Sequence, residues 1–148
     1  MSQLQWSSPV IHTPSFKEYS ISASELRNKL QSLEAKILYG MLDSNYYFTD
    51  LDGWIKVLYD LVFKSSLYKI DKFDCENYAL KAMNECHERY GLNTLAMVIG
   101  DMPQGRHGFN MLYYGDSFLL WEPNEGFPFS GSPFEIGDFG YFPRFVLI

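Results

Sequence analysis

The chain has little cysteine, no basic cluster and no long apolar run. Cysteine occurs twice in 148 residues, at Cys75 and Cys86. No apolar stretch approaches the ~20 residues a membrane helix needs. The opening residues, MSQLQWSSPVIHTPSF, carry neither a basic start nor an apolar core, which argues against a signal peptide. The expected location is therefore the cytoplasm, with no membrane partner. Lysine and arginine are scattered and the formal net charge is −6, so nucleic-acid binding lacks its electrostatic footprint. Internal repeats and low-complexity linkers are missing too. Residues 1–148 read as a single domain around one core.

What the chain does have is aromatic surface. Hydrophobic residues make up 47% and aromatics 18%, with 12 Phe and 11 Tyr. That fills a core and leaves rings to line a groove or sit exposed.

Residues 1–20 read as an irregular arm interrupted by Pro9 and Pro14. A helix is expected next. Ser22 and Glu25 have capping-box spacing, and Leu26, Leu30, Leu33, Ile37 and Met41 recur at helical intervals. A second helix follows, capped by Thr49 and Asp52, with Leu51, Ile55, Leu58 and Val62 as its inward stripe and Trp54 and Leu61 beside it. The third helix opens in KFDCENYALKAM. Asp74 is its N-cap, Cys75 its first residue, Ala79, Ala82, Met83, Cys86 and Tyr90 its apolar face, and Gly91 its stop.

The second half reads as strands: TLAMVIG, HGFNMLYY, SFLLWE and RFVLI. Tyr114-Gly115-Asp116-Ser117 predicts a two-residue hairpin. Glycine and proline crowd residues 123–143, too densely for a central strand. Helices first and strands second indicate an α+β fold, with N-terminal helices packed on a C-terminal antiparallel sheet.

Cys75 and Cys86 on one helix would have Cα atoms roughly 16 Å apart. A disulfide needs less than about 7 Å, and a shared zinc ion is excluded in the same way. No metal cluster is visible, and no cofactor is expected. At a helix N-terminus the free N–H groups and the dipole favour a thiolate at Cys75. A buried structural cysteine is the competing reading.

Three histidines are candidate bases. His12 falls in the arm. His87 is more than three turns along the helix from Cys75, a solvated position. His107 opens the hairpin. If Tyr114 pairs with Ser117, Phe109 faces Glu122 and His107 faces Asn124. His107, Phe109, Met111 and Tyr113 then share a face with Phe118, Leu120, Glu122 and Asn124, and Glu122 is the diagonal neighbour of His107. The Cys75 helix is the expected cover for that face. Pro123 lacks an N–H, so the ladder should open there. A carboxylate at Glu122 could hold the imidazole by one nitrogen and leave the other for the thiol. Otherwise His107 is an exposed loop residue and Glu122 an ordinary strand end. Asn124 competes as orienter. Asn124, Gln104, Tyr68 and Asn77 are candidate donors to an oxyanion beside the N–H of Cys75.

Two of these stretches resemble a known family. FDCENYA is similar to the nucleophile motif of transglutaminase-like cysteine peptidases, and HGFNMLYYGDSFLLWEPNEG to the family's His-and-acid motif. Glu122 stands where Asp is usual, and Asn77 where a second acid is common. The resemblance implies a papain-like core, with Cys75 as nucleophile, His107 as base and then acid, and Glu122 as orienter. It further implies amide hydrolysis or amine transfer through an acyl-enzyme, on a peptide or protein with an amide or glutamine side chain. A second function class is a non-catalytic module binding peptide or sugar in an aromatic groove built from EGFPFSGSPFEIGDFGYFP. A third is a structural or assembly role. The oligomeric state is not encoded in any visible pattern.

Overall fold

The computed structural model describes residues 14–148. His12 and Pro9 lie outside them. Residues 14–18 are irregular, but the expected arm gives way to a strand, β1 (Tyr19–Ser22), before residue 20. The order continues as α1 (Ala23–Gln31), β2 (Lys36–Ile37), β3 (Asn45–Phe48), α2 (Leu51–Leu58), α3 (Cys75–Tyr90), β4 (Ala96–Met102), β5 (Gly105–Tyr113), β6 (Phe118–Trp121) and β7 (Phe142–Leu147).

This corrects the expectation of helices first and an antiparallel sheet second. Strands and helices interleave, and the fold is mixed α/β. β1 and β3 form a two-stranded antiparallel sheet, and the main five-stranded sheet runs β2-β7-β4-β5-β6. Within it β2 runs parallel to β7, pairing Lys36 with Phe145 and Ile37 with Val146. The first helix is shorter than its apolar spacing suggested. Ser22 caps it, accepting from the Glu25 N–H at 3.2 Å. It ends at Gln31, and Glu34 turns the chain at φ 60°, so that Ile37 joins the sheet instead.

α2 starts one residue later than Thr49 would place it. Asp50 is the cap, and its carboxylate accepts from the Gly53 N–H at 2.9 Å. The buried stripe is Trp54, Val57, Leu58 and Leu61, while Leu51 and Ile55 face solvent at 40% and 54% exposure. α3 has the expected bounds. Gly91 ends it with φ 67°, a conformation glycine adopts without Cβ strain.

The sheet separates two apolar layers. On one face α2 and α3 pack Trp54, Leu61, Ala82 and Cys86 against Leu112 and Trp121. Each large side chain so buried contributes roughly 1.5–3 kcal/mol. Both indoles are satisfied there, Trp54 donating to the Tyr113 carbonyl at 2.8 Å and Trp121 to the Leu61 carbonyl at 3.1 Å. On the other face α1 supplies Leu26 and Leu30 to Val98, Phe109, Met111 and Leu120. The glycine- and proline-rich segment closes this layer with Phe134 and Tyr141. It also bridges the free edge of β6, where Leu120 and Phe134 exchange backbone hydrogen bonds of 2.7 and 3.0 Å.

The hairpin register is as expected. Tyr113 faces Phe118, Met111 faces Leu120, and Asn110 faces Trp121. The Tyr114 N–H donates to the Ser117 carbonyl at 3.2 Å. The cover of that face differs from expectation. α3 does not pack on Phe109, Met111, Phe118 and Leu120. It packs on the opposite face, where Asn110 donates to the Ala79 carbonyl of α3 at 2.9 Å.

Among the described residues no helix is long and apolar enough to cross a membrane.

Candidate functional site

Cys75 and His107 come from opposite faces of β5, and Gly108 explains how they can meet. A Cβ at Gly108 would lie 2.8 Å from the backbone N and Cα of Glu76. Only a residue without a side chain lets the start of α3 press this closely onto the strand. β6 has already ended, since its last pair is Trp121 with Asn110. Beyond it β5 is not paired with β6, and the N-terminus of α3 lies over the strand's face at Gly108.

His107 is buried at 6% exposure and Glu122 at 1%. Their side chains meet at 2.7 Å, Nε2 to Oε2. The Tyr141 hydroxyl donates to the same carboxylate oxygen at 3.0 Å. The Asn124 backbone N–H donates to the other oxygen at 3.1 Å. Glu122 is thus held at both oxygens, as a buried charge must be. Phe127 and Tyr141 flank the imidazole, with centroids at 5.2 and 5.6 Å.

Burial works against a charged imidazole here. The neighbouring Cys75 sulfur and the hydrogen-bonded Glu122 carboxylate outweigh it and raise His107 to about 9. Burial and the neighbouring Glu122 push the Tyr141 phenol up, so it remains a donor. Cys75 is half-buried. Its thiol donates to the Glu76 carboxylate at 3.4 Å.

The remaining candidates fare differently. Asn77 closes the N-terminal turn of α3, its side-chain oxygen accepting from the Asp74 N–H at 3.0 Å. It is a capping residue. The Asp74 carboxylate turns back to the Asp71 N–H at 3.3 Å. The Asn124 side chain accepts from the Gly126 N–H at 2.9 Å, a bond within its own turn. Gln104 sits in the exposed turn between β4 and β5. Tyr68 is 48% exposed at the end of a short 3-10 turn. Neither makes the contacts that assemble the site. Cys86 is core, its thiol pushed up by burial. His87 is not solvated. It is half-buried against the Leu95 carbonyl at 3.1 Å, and burial lowers its pKa. The residues missed from sequence are Tyr141 and Glu76. Glu76 adjoins the cysteine and was open to inspection, whereas Tyr141 was hidden in a segment read as loop.

Fold and site together define a small mixed α/β domain with a buried imidazole–carboxylate pair beside a helix-borne thiol. No family model matches the chain, and no curated protein sequence matches it. Among the solved structures that share its fold are two of note. One is described as "PSL1a-E64 complex", with a TM-score of 0.66 and 16% identity over 87% of this chain and 51% of that one. The other is a lectin from Polyporus squamosus bound to the epitope Neu5Acα2-6Galβ1-4GlcNAc, with a TM-score of 0.59 and 15% identity over 87% of this chain and 49% of that one. The chain spans about half the length of each.

These neighbours overturn the family resemblance. The fold matches about half of each of those chains, and it is not the transglutaminase-like or papain-like core the resemblance implied. The thiol-protease and catalytic-triad expectations that came with the resemblance fall with it. The two motifs matched short stretches around Cys75 and His107, and short stretches do not fix the arrangement of β2, β7 and α1.

Proposed function

We propose that the domain is a sugar-binding module rather than a cysteine-dependent amide hydrolase. The observation that carries this reading is the fold shared over 87% of the chain with a lectin bound to a trisaccharide epitope. Its ligand class is carbohydrate, in place of the peptide or glutamine-bearing substrate that the resemblance implied. The aromatic segment supplies supporting chemistry, since rings with polar neighbours suit a saccharide, which is apolar on one face and hydroxylated at its edge. The test is binding of the purified domain to a panel of immobilised glycans. Retention of at least one glycan, competed by the same free sugar, is expected. No retention across neutral and acidic glycans would overturn the reading.

A specific observation favours a second reading for the cluster at α3. The 2.7 Å contact of His107 with Glu122, both buried, lies beside a half-buried thiol. In this reading Cys75 is a reactive thiol, and the charged His107 imidazole, held by Glu122, favours its thiolate form. Iodoacetamide labelling at pH 7, followed by mass spectrometry, tests it. Cys75 should label well before Cys86, and His107→Ala should slow the Cys75 rate at least tenfold. Equal rates in the two proteins would sink it.

A further inference from the structure

The glycine- and proline-rich segment does two things at once. Phe134 and Tyr141 turn into the core, while Phe139 stays 53% exposed. Phe139 stands in the left-handed backbone region at φ 56°, between Gly137 and Gly140, which also have positive φ. A bulky residue is uncommon there, and such strain gathers at binding sites. Phe129 stacks on Phe139 at 4.2 Å with an interplanar angle of 8°. The pair forms a rigid two-ring platform.

The platform borders a cavity of about 520 Å³ that Ser130, Ser132, Glu135 and Asp138 also line. That volume falls in the range of small-ligand sites, roughly 300–1,000 Å³. One Asp138 oxygen accepts from the Glu135 N–H at 3.1 Å, which fixes the carboxylate at the rim. Its other oxygen, the Glu135 carboxylate and both serine hydroxyls have no hydrogen-bond partner among the described residues. The lining contains two carboxylates and no cation.

We infer that this cavity is a saccharide site, with Phe139 as the stacking face and Asp138 and Glu135 as acceptors for sugar hydroxyls, and that it takes neutral rather than acidic sugars. The C–H face of a pyranose complements the negative face of an aromatic ring. Its hydroxyls donate to carboxylates, and such charge-assisted hydrogen bonds are the strong ones. A sialic acid carboxylate would instead meet two like charges without a compensating cation. The inference rests on the sugar-binding reading and assigns its site and sugar class. It differs from the acidic epitope bound by the neighbouring lectin.

The test titrates the intact chain with Galβ1-4GlcNAc and with Neu5Acα2-6Galβ1-4GlcNAc, beside a wider panel of neutral and sialylated glycans. A neutral glycan should bind at least tenfold more tightly than its sialylated form. Phe139→Ala should weaken it at least tenfold, and Phe139→Tyr should keep most of the affinity. Asp138→Asn should narrow the gap between neutral and sialylated forms, because the amide oxygen still accepts from Glu135. Circular dichroism would check that each variant is folded. Glycan binding that Phe139→Ala leaves unchanged would overturn the site and leave the sugar-binding reading standing. Preference for the sialylated form would overturn the sugar class. No binding to any glycan would overturn both.

Discussion

The His107–Glu122 pair and the Phe129–Phe139 platform lie on one continuous set of rings, yet they are built on opposite principles. Around Glu122 both oxygens are occupied and the group is buried. Around the platform the polar atoms stand free and the leading ring is half exposed. Buried polar groups must be satisfied internally, and when they are, they fix a shape. Exposed unsatisfied groups are what a ligand can use. Tyr141 joins the two regions, touching Phe129 at 5.4 Å and hydrogen-bonding Glu122 at 3.0 Å.

The contrast can be broken most forcefully at Glu122. Glu122→Ala leaves a buried imidazole and a buried phenol without their acceptor, and should cost about 3–5 kcal/mol of stability. Urea denaturation of the variant measures it, and a loss under 1 kcal/mol would mean the pair is not buried as described. Acidity gives the next largest effect. The folded-state value of His107 is raised to about 9 from 6.5, so its contribution is fully present below pH 6.5 and is lost as pH rises through about 9. The free energy of unfolding should therefore fall across that window by on the order of a few kcal/mol, and His107→Gln should flatten the decline.

Tyr141→Phe keeps the ring and removes one hydrogen bond to a charged group, with an expected loss of about 2 kcal/mol. With one donor fewer, the Glu122 carboxylate favours the charged imidazole more strongly, so His107 should titrate at higher pH, a shift that NMR of the imidazole would read. Phe139→Ala should be the mildest. An exposed ring in a strained position costs the fold little, and the melting temperature should change by the equivalent of less than about 0.5 kcal/mol. A large loss there would make Phe139 a structural residue and erase the contrast.

Local signals carried much of this molecule into its sequence. Asp74 and Gly91 bracket α3 because helix ends need caps and a left-handed stop. The Tyr114–Ser117 turn set the register of β5 and β6, and that register brought Glu122 to His107. What stayed hidden depends on three dimensions. Alternation along β5 gives two faces but not which helix covers each, so α3 was assigned to the wrong one. α2 offers two overlapping apolar stripes, and only packing against Leu112 and Trp121 selects Trp54, Val57 and Leu61. The two residues of β2 show no periodicity at all. Tyr141 reaches Glu122 across 19 residues of irregular chain, which no short pattern encodes.

One consequence of the sheet order concerns timing. β7 follows every other strand in sequence yet lies inside the sheet, between β2 and β4. Until residues 142–147 arrive, β4 has an open edge and Lys36 and Ile37 have no partner strand. A nascent or truncated chain would hold its hairpins while displaying an unpaired apolar edge, the kind that recruits other chains. β7 acts as a keystone: it alone joins β2 to the rest of the main sheet.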